Sequence, residues 1–298
     1  MVLNIFESAN EANRAHGSDK TGWPTFLHWP KHNDITHQQM WVDWIKRARE
    51  NGMRIMVALA VNNKTLATAL KGDPPLDDRG SADLQIREIR AFVNRHRDFM
   101  EIAASSADLR RIVRSGRLAV VLGIEIDDLG NFDSTEGSIS QAAINAEVNR
   151  LRSLGVRYVF PIHLTNNRFG GAAVYEPFFN VLNRLQHGGW FDLECSSTVG
   201  WRHDSDISGL LSTFSLDRPF LPNCREGQGH RNRLGLTSIG HILMDALMRR
   251  GMLIDIDHMS ERSVDDALDR ARKFPSGWGY PLVSGHNGLR GSGGLKEV

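Results

Sequence analysis

The chain has 298 residues, of which 36 are Lys or Arg and 35 are Asp or Glu, so its net charge at pH 7 is +1. A charge so near zero offers no electrostatic argument for binding to nucleic acid or to an anionic membrane surface. No segment approaches the roughly 18 consecutive apolar residues of a membrane-spanning helix. The first twenty residues lack the apolar core of a signal peptide, which predicts a cytoplasmic protein if Met1 is the true start and otherwise leaves localisation unknown.

The first half of the chain alternates predicted helices with apolar strands. A helix is predicted over residues 36–51. The near-continuous apolar segment 54–61 that follows is typical of a strand buried on both faces of a parallel sheet. The later predicted elements of this half are helices over 82–105, 107–115 and 138–154 and strands over 118–124 and 156–162.

Residues 186–234 interrupt this alternation. They are rich in Gly, Ser, Asp and Arg and show little periodicity, so we predict an irregular insertion within a single barrel domain of residues 1–298. We interpret the histidines of this segment, His187, His203 and His230, as solvated. Its two cysteines, Cys195 and Cys224, can pair, but two cysteines alone do not imply a disulfide.

A helix–strand–helix unit follows the insertion. The predicted elements are a helix over 237–250, an apolar strand over 252–256 and a helix over 260–271, for which Ser260 is a suitable N-cap. A short strand over 281–284 and a Gly-rich tail complete the chain. The alternation of strands and helices predicts an α/β fold with a parallel sheet.

Four of the five predicted strands end in a side chain that can bind a metal: Glu125, His163, His258 and His286. Consecutive strand ends of a parallel barrel converge on one mouth. A lone histidine or glutamate in such a place is more often a loop residue or a helix cap, but four at four strand ends favour a metal site. Histidine and carboxylate suit zinc and similar divalent ions.

The same segments resemble a known family. The ordered set AVVLGIE (119–125), FPIHLTNN (160–167), GMLIDIDHMS (251–260) and LVSGHN (282–287) is similar to that of the membrane (renal) dipeptidase family of the amidohydrolase superfamily. The resemblance spans over half of the chain. It implies a (β/α)8 TIM-type barrel with a centre of two metal ions, usually zinc.

The resemblance also implies roles for single residues. Glu125 would bridge the two ions, and His258 and His286 would bind one of them. His163 would be catalytic, facing the substrate carbonyl or the tetrahedral intermediate. Arg290 would grip a substrate carboxylate, although a surface charge in a Gly-rich tail is an equal alternative.

The chain departs from the family pattern at both ends. The family begins with a strand that ends in a His-x-Asp metal pair. Residues 32–34 match this pattern, with His32 and Asp34 at the two metal-binding positions. The preceding Pro30 and Lys31 favour a loop there. The family also ends with a strand that carries an aspartate base, and no strand is predicted after His286.

Two explanations account for these departures. The polypeptide is either a fragment of a longer protein or a shortened relative that completes its barrel as a homo-oligomer. The small number of strands favours the fragment. Because an incomplete barrel exposes unpaired strand edges, we expect poor stability or association, and low or no activity.

The sequence therefore predicts a metal-dependent hydrolase that cleaves an amide bond in a dipeptide or a similar small substrate. One alternative is a non-catalytic or truncated barrel with a binding role. Another is an amidohydrolase of a different class, such as a deaminase or lactonase, because the fold does not determine the substrate. No nucleic-acid partner and no membrane span are expected.

Overall fold

The computed structural model describes residues 42–69, 72, 74–133, 136–199, 201–203 and 207–285. The chain divides into two compact units, residues 1–54 and 55–298. In the first unit, helix α1 comprises Val42–Glu50, and the side chain of Asn51 donates a hydrogen bond to the carbonyl oxygen of Arg47 in its last turn.

The second unit alternates strands with helices. Its elements are β1 (Ile55–Asn62), α2 (Lys64–Ala69), α3 (Asp78–Arg95), β2 (Met100–Ile102), α4 (Ser106–Arg114), β3 (Leu118–Ile126), α5 (Gln141–Ser153), β4 (Val156–Phe160), α6 (Pro177–His187), β5 (Leu193–Ser196), α7 (Ser208–Thr213), β6 (Gly229–Asn232), α8 (Ser238–Arg249), β7 (Leu253–Ile254) and α9 (Glu261–Arg272). None of the helices within the described ranges combines the length and the hydrophobicity that crossing a membrane requires.

Five of these strands form one parallel sheet. Strand β3 pairs with β1 along one edge, from Ile55↔Ala119 to Asn62↔Ile126. Its other edge pairs first with β2 and then with β4, and β4 pairs with β7. The predicted α/β class with a parallel sheet is therefore confirmed. The described strands form an open sheet, so the eight-stranded barrel stays a prediction.

The strand β3 occupies the centre of the sheet, and every one of its nine residues is buried. On one face, Ala119 and Val121 pack with Ile112 of α4 and with Tyr158 and Phe160 of β4. Gly123 is required by this packing, because a Cβ atom there would lie 2.6 Å from Leu59 Cδ2. The apolar segment 118–126 thus becomes the sheet's core.

Local capping rules explain where several helices begin. The side chains of Ser105, Ser140, Thr237 and Ser260 each accept a hydrogen bond from a backbone N–H in the first turn of the next helix. Such a bond satisfies one of the four N–H groups that a helix leaves unpaired at its start. The predicted N-cap at Ser260 is confirmed, and so are the predicted positions of α4, α5, α8 and α9 within a few residues.

Three sequence-based predictions of local structure are wrong. The helix predicted over 82–105 ends at Arg95, because Met100–Ile102 pairs with β3 instead. Strand β1 is not buried on both faces, since Ile55 is 48% exposed and, among the described residues, the strand pairs only with β3. Near the carboxyl end of β1, the side-chain amide of Gln85 donates a hydrogen bond to the carbonyl oxygen of Val61 and accepts one from its N–H.

The third wrong prediction concerns residues 186–234, which are not irregular throughout. Strands β5 and β6 pair antiparallel within this segment, and a disulfide joins Cys195 of β5 to Cys224. His187 is exposed as predicted, but His203 and His230 are buried. The backbone N–H of His203, in the segment that connects β5 to β6, donates a 2.8 Å hydrogen bond to Nδ1 of His230 in β6.

Candidate metal centre

Three of the predicted site residues meet at the carboxyl edge of the sheet. Glu125 is the penultimate residue of β3, His163 follows β4, and His258 follows β7. Because these strands are parallel and adjacent in the sheet, their carboxyl ends reach the same edge. The ligand atoms of the three side chains all lie within 4.8 Å of one another.

Both imidazoles direct the same ring nitrogen to Glu125. The Nε2 atom of His258 lies 3.0 Å from Glu125 Oε1, and the Nε2 atom of His163 lies 3.4 Å from the same oxygen. The two rings are perpendicular, with centroids 4.9 Å apart. Glu125 and His163 are only 7% and 6% exposed, so the cluster is shielded from bulk water.

A buried carboxylate supports His163 from its other side. Asp127 Oδ2 lies 3.5 Å from Nδ1 of His163, which is an electrostatic contact too long for a hydrogen bond. The other oxygen, Oδ1, accepts hydrogen bonds of 2.7 and 3.0 Å from the backbone N–H groups of Leu164 and Thr165. The amide of Asn63 donates to Oδ2. Asp127 is therefore held in place by donors from two segments, the loop after β1 and the loop after β4.

The charges of this pair shift both pKa values. Burial alone would raise the pKa of Asp127, but the nearby His163 and the hydrogen bonds lower it below its ordinary value. Burial alone would lower the pKa of His163, but the Asp127 charge raises it above its ordinary value. Each group thus stabilises the charged form of the other.

A loop segment supports His258 in the same way. The hydroxyl of Tyr175 lies 2.8 Å from Nδ1 of His258. The backbone N–H of Ala173 donates a 2.7 Å hydrogen bond to the carbonyl oxygen of His258, and Ala172 forms an antiparallel bridge with Met259. His258 has a φ of +67°. These contacts hold a conformation that a residue with a side chain rarely adopts.

Two more aspartates order the chain around His258. Asp255 is fully buried. It accepts hydrogen bonds from the Tyr158 hydroxyl and from the backbone N–H of Asp257. The hydroxyl of Ser284 donates a 2.7 Å hydrogen bond to Asp257. Gly285 is needed beside them, because a Cβ atom there would lie 2.6 Å from Asp255 Oδ2.

The donor set suits a divalent metal ion. A tetrahedral zinc with ligands at about 2.0–2.1 Å places neighbouring ligand atoms roughly 3.3 Å apart, and the two N–O separations of 3.0 and 3.4 Å match this spacing. Two neutral imidazoles and one carboxylate are also a ligand combination that catalytic zinc sites use. The residues present therefore fit such an ion.

The structure accounts for part of the predicted site. It brings together Glu125, His163 and His258. His286 and Arg290, together with His32 and Asp34, lie outside the described residues, and their roles stay predictions. Sequence reasoning did not identify Asp127 and Tyr175. The position of Asp127 two residues after Glu125 was a possible signal, whereas nothing in the sequence connects Tyr175 to His258.

Comparisons with known proteins agree with the sequence resemblance. No family model matches the chain. It is 34% identical over 184 residues to dipeptidase ataJ of Aspergillus terreus, a match that covers 62% of this chain and 34% of that protein. It is 24% identical over 186 residues to dipeptidase tcpJ of Claviceps purpurea, covering 62% of this chain and 28% of the relative. The chain thus spans about a third of the length of these curated relatives.

Among solved structures, the chain is similar to a metallopeptidase from Rhodobacter sphaeroides that carries a phosphinate mimic of the dipeptide L-Ala-D-Ala. The identity is 14% and the TM-score 0.45, over 76% of this chain and 53% of that one. The fold and the site define an α/β protein with a candidate metal centre at the edge of a parallel sheet. The curated relatives are dipeptidases by name, which agrees with the resemblance to dipeptidases seen in the sequence.

Proposed function

We propose that the chain is part of a metal-dependent hydrolase that cleaves the amide bond of a dipeptide or a similar small substrate. The observation that carries this proposal is the cluster of Glu125, His163 and His258, which come from three different strand ends and lie within 4.8 Å of one another. The names of the curated relatives support the dipeptidase-like class of reaction.

In this proposal, Glu125 and His258 hold a divalent ion, and zinc is the ion that the resemblance implies. A bound ion of this kind polarises a carbonyl and lowers the pKa of water, which supplies the nucleophile. The resemblance adds His286 as a ligand, His163 as a stabiliser of the oxyanion and Arg290 as the partner of a substrate carboxylate.

The chain's own residues prepare this chemistry. The two imidazoles lie against the Glu125 carboxylate before any substrate arrives, with Asp127 on the far side of His163 and the Tyr175 hydroxyl on the far side of His258. Such preorganisation avoids reorienting dipoles during the reaction, which is the main source of electrostatic catalysis. Burial of the cluster also excludes bulk water and strengthens each charge interaction.

A comparison of two glutamate variants tests the proposal. Glu125→Gln removes the charge from the cluster. Glu147→Gln removes an equally buried charge from a glutamate that lies elsewhere and pairs with Arg150 at 2.6 Å. We expect the wild-type chain and Glu147→Gln to retain tightly bound zinc after dialysis and to release amino acids from a panel of dipeptides slowly, in line with the low activity expected of an incomplete barrel. Glu125→Gln should lose both properties.

Two results would overturn this proposal. If the wild-type chain retains no added divalent metal, the cluster is not a metal centre. Zinc binding that depends on Glu125, without hydrolysis of any dipeptide or related amide, would remove the hydrolase and leave a binding protein.

A further inference from the structure

We propose that the turn from α5 to β4, called the α5–β4 turn below (residues 152–157), binds a polyvalent anion of the phosphate class. The binding groups are four arginines that surround the turn: Arg90, Arg152, Arg157 and Arg250. Because the turn directly precedes a parallel strand, it lies at the amino edge of the sheet. The candidate metal centre lies at the opposite, carboxyl edge, so this inference goes beyond the proposed function and does not depend on it.

Hydrogen bonds hold two guanidinium groups against the α5–β4 turn. Arg90, on α3, donates from Nε and Nη2 to the carbonyl oxygen of Leu154 at 3.1 and 2.6 Å. A Cβ atom on Gly155 would collide with the same Nη2 atom, so glycine lets the guanidinium lie on the turn. Arg157 donates from Nη1 to the carbonyl oxygen of Arg152 at 2.8 Å. The two side chains therefore approach one turn from both of its ends.

The helix α8 adds a third guanidinium. Arg250 directly follows this helix, and its Nε atom donates a 2.6 Å hydrogen bond to the side-chain oxygen of Asn149 on α5. Asn149 and Arg152 are three positions apart in a helix, so they are neighbours on its surface. Arg152 itself is exposed, and its side chain makes no hydrogen bond or ion pair with the residues that the structure describes.

The positive charge around the α5–β4 turn is not balanced by carboxylates. In the described ranges, none of the four arginines forms an ion pair, whereas Arg150 on the same helix pairs with both Asp83 and Glu147 at 2.6 Å. The bonded oxygens belong to carbonyl and amide groups, and the carboxyl end of a helix offers only about half a negative charge. Since the whole chain is nearly neutral, the turn carries a local surplus of positive charge.

Mutual repulsion among these side chains supports the same conclusion. Burial, and next the charge of Arg152, lower the pKa of Arg157 below its ordinary value, and the charge of Asp108 opposes this shift only in part. Burial, and next the charges of Arg249 and Arg152, lower the pKa of Arg250. Because a guanidinium keeps its proton in proteins, folding brings like charges together at a cost in free energy. A bound anion removes this cost.

The free donors of the cluster suit phosphate. A guanidinium has five N–H donors in one plane and can bind two oxygens of a phosphate at once. The bonds to the turn leave Nη1 of Arg90 and Nη2 of Arg157 without a partner among the described residues. These bonds also fix the side chains in advance, which lowers the entropy cost of binding. A phosphate group carries about 1.5 to 2 negative charges at pH 7, so it offsets more of the surplus than a carboxylate does.

Calorimetric titration of the full chain with pyrophosphate tests the inference. The variants are Arg152→Gln and Arg157→Gln, each of which removes one charge from the cluster. The matched control is Arg262→Gln, which removes one charge from α9, where Arg262 pairs with Glu194 at 2.7 Å. A second titration with ATP shows whether the phosphate comes from a nucleotide, because only then should ATP bind more tightly than pyrophosphate.

The wild type and Arg262→Gln should bind pyrophosphate with the same affinity. Arg152→Gln and Arg157→Gln should each weaken binding by about tenfold or more, because each removes a charge-assisted hydrogen bond. Added NaCl should weaken the binding of pyrophosphate to the wild type, because salt screens the charges of the cluster. ATP should show the same dependence on the two arginines.

Urea unfolding of each variant separates lost binding from lost folding. Because the Arg152 side chain has no bonded partner in the described part of the chain, Arg152→Gln should unfold at the same urea concentration as the wild type. The inference is wrong if the wild type binds neither pyrophosphate nor ATP. It is also wrong if Arg152→Gln and Arg157→Gln bind both as tightly as Arg262→Gln does, because binding then takes place elsewhere on the chain. Either result leaves the proposed function standing.

Discussion

Two regions of the second unit are held together in different ways. At the carboxyl edge of the sheet, the candidate metal centre depends on hydrogen bonds between side chains from separate segments, such as Asn63 with Asp127 and Tyr175 with His258. The second region is the antiparallel pair of β5 and β6 (residues 193–232), called the β5–β6 hairpin below. There, a disulfide between Cys195 and Cys224 links β5 covalently to the segment that precedes β6.

The polar contacts of the two regions differ as well. Around the metal centre, the charged groups are buried, and their pKa values are shifted by one another. In the hairpin, Glu194 accepts from Arg231 and from Arg262 of α9 at 2.8 and 2.7 Å. These side chains are partly exposed. The difference teaches that pH and metal should act mainly on the first region, and reducing agents mainly on the second.

The largest effect is expected from removal of the disulfide. It closes a loop with a sequence separation of 29 residues, and its loss should lower the free energy of unfolding by about 3 kcal/mol because the unfolded chain gains freedom. Cys195→Ser combined with Cys224→Ser, measured by urea unfolding without reductant, tests this. The Zn²⁺ dissociation constant should not change, and a large weakening would show that the two regions are not independent.

A smaller effect is expected from Asp78, which is buried beside the metal centre. Burial, and next the charge of Asp127, raise the pKa of Asp78 to about 7. Because this value exceeds the unfolded value near 4, the folded chain binds the proton more tightly. The stability contributed by Asp78 is therefore present at low pH and is lost as the pH rises toward about 7.

Urea unfolding of the wild type and of Asp78→Asn at pH 5 and pH 8 measures this contribution. The free energy of unfolding of the wild type should fall relative to the variant by roughly 2 kcal/mol between the two pH values, because the asparagine cannot lose a proton. The absence of any change in this difference between pH 5 and pH 8 would mean that Asp78 is charged in the folded chain throughout this range.

The smallest effect is expected from the ion pairs of the hairpin. Arg262 donates to Glu194, but its side chain is 44% exposed, and exposed ion pairs contribute at most about 1 kcal/mol. Arg262→Ala should therefore lower the free energy of unfolding by less than about 1 kcal/mol at 0.1 M salt. A larger loss of unfolding free energy would mean that the ion pairs of the β5–β6 hairpin stabilise it as strongly as its disulfide does.

Much of the fold followed from local sequence patterns. The apolar segments over 118–124 and 156–162 become β3 and β4, and capping residues such as Ser140 and Thr237 mark the start of their helices. The apolar residues around Met100 were misassigned to a helix, because their strand forms only by pairing with β3. Helical spacing and a short buried strand cannot be told apart without that partner.

The same division applies to the candidate metal centre. The sequence by itself determined that side chains able to bind metal follow the strands, because strand ends and residue types are local properties. Only the tertiary structure decided that Asp127 faces His163 and that Tyr175, in a loop after β4, reaches His258. These contacts join residues 36 and 83 positions apart, and no local pattern records which side chains meet through space.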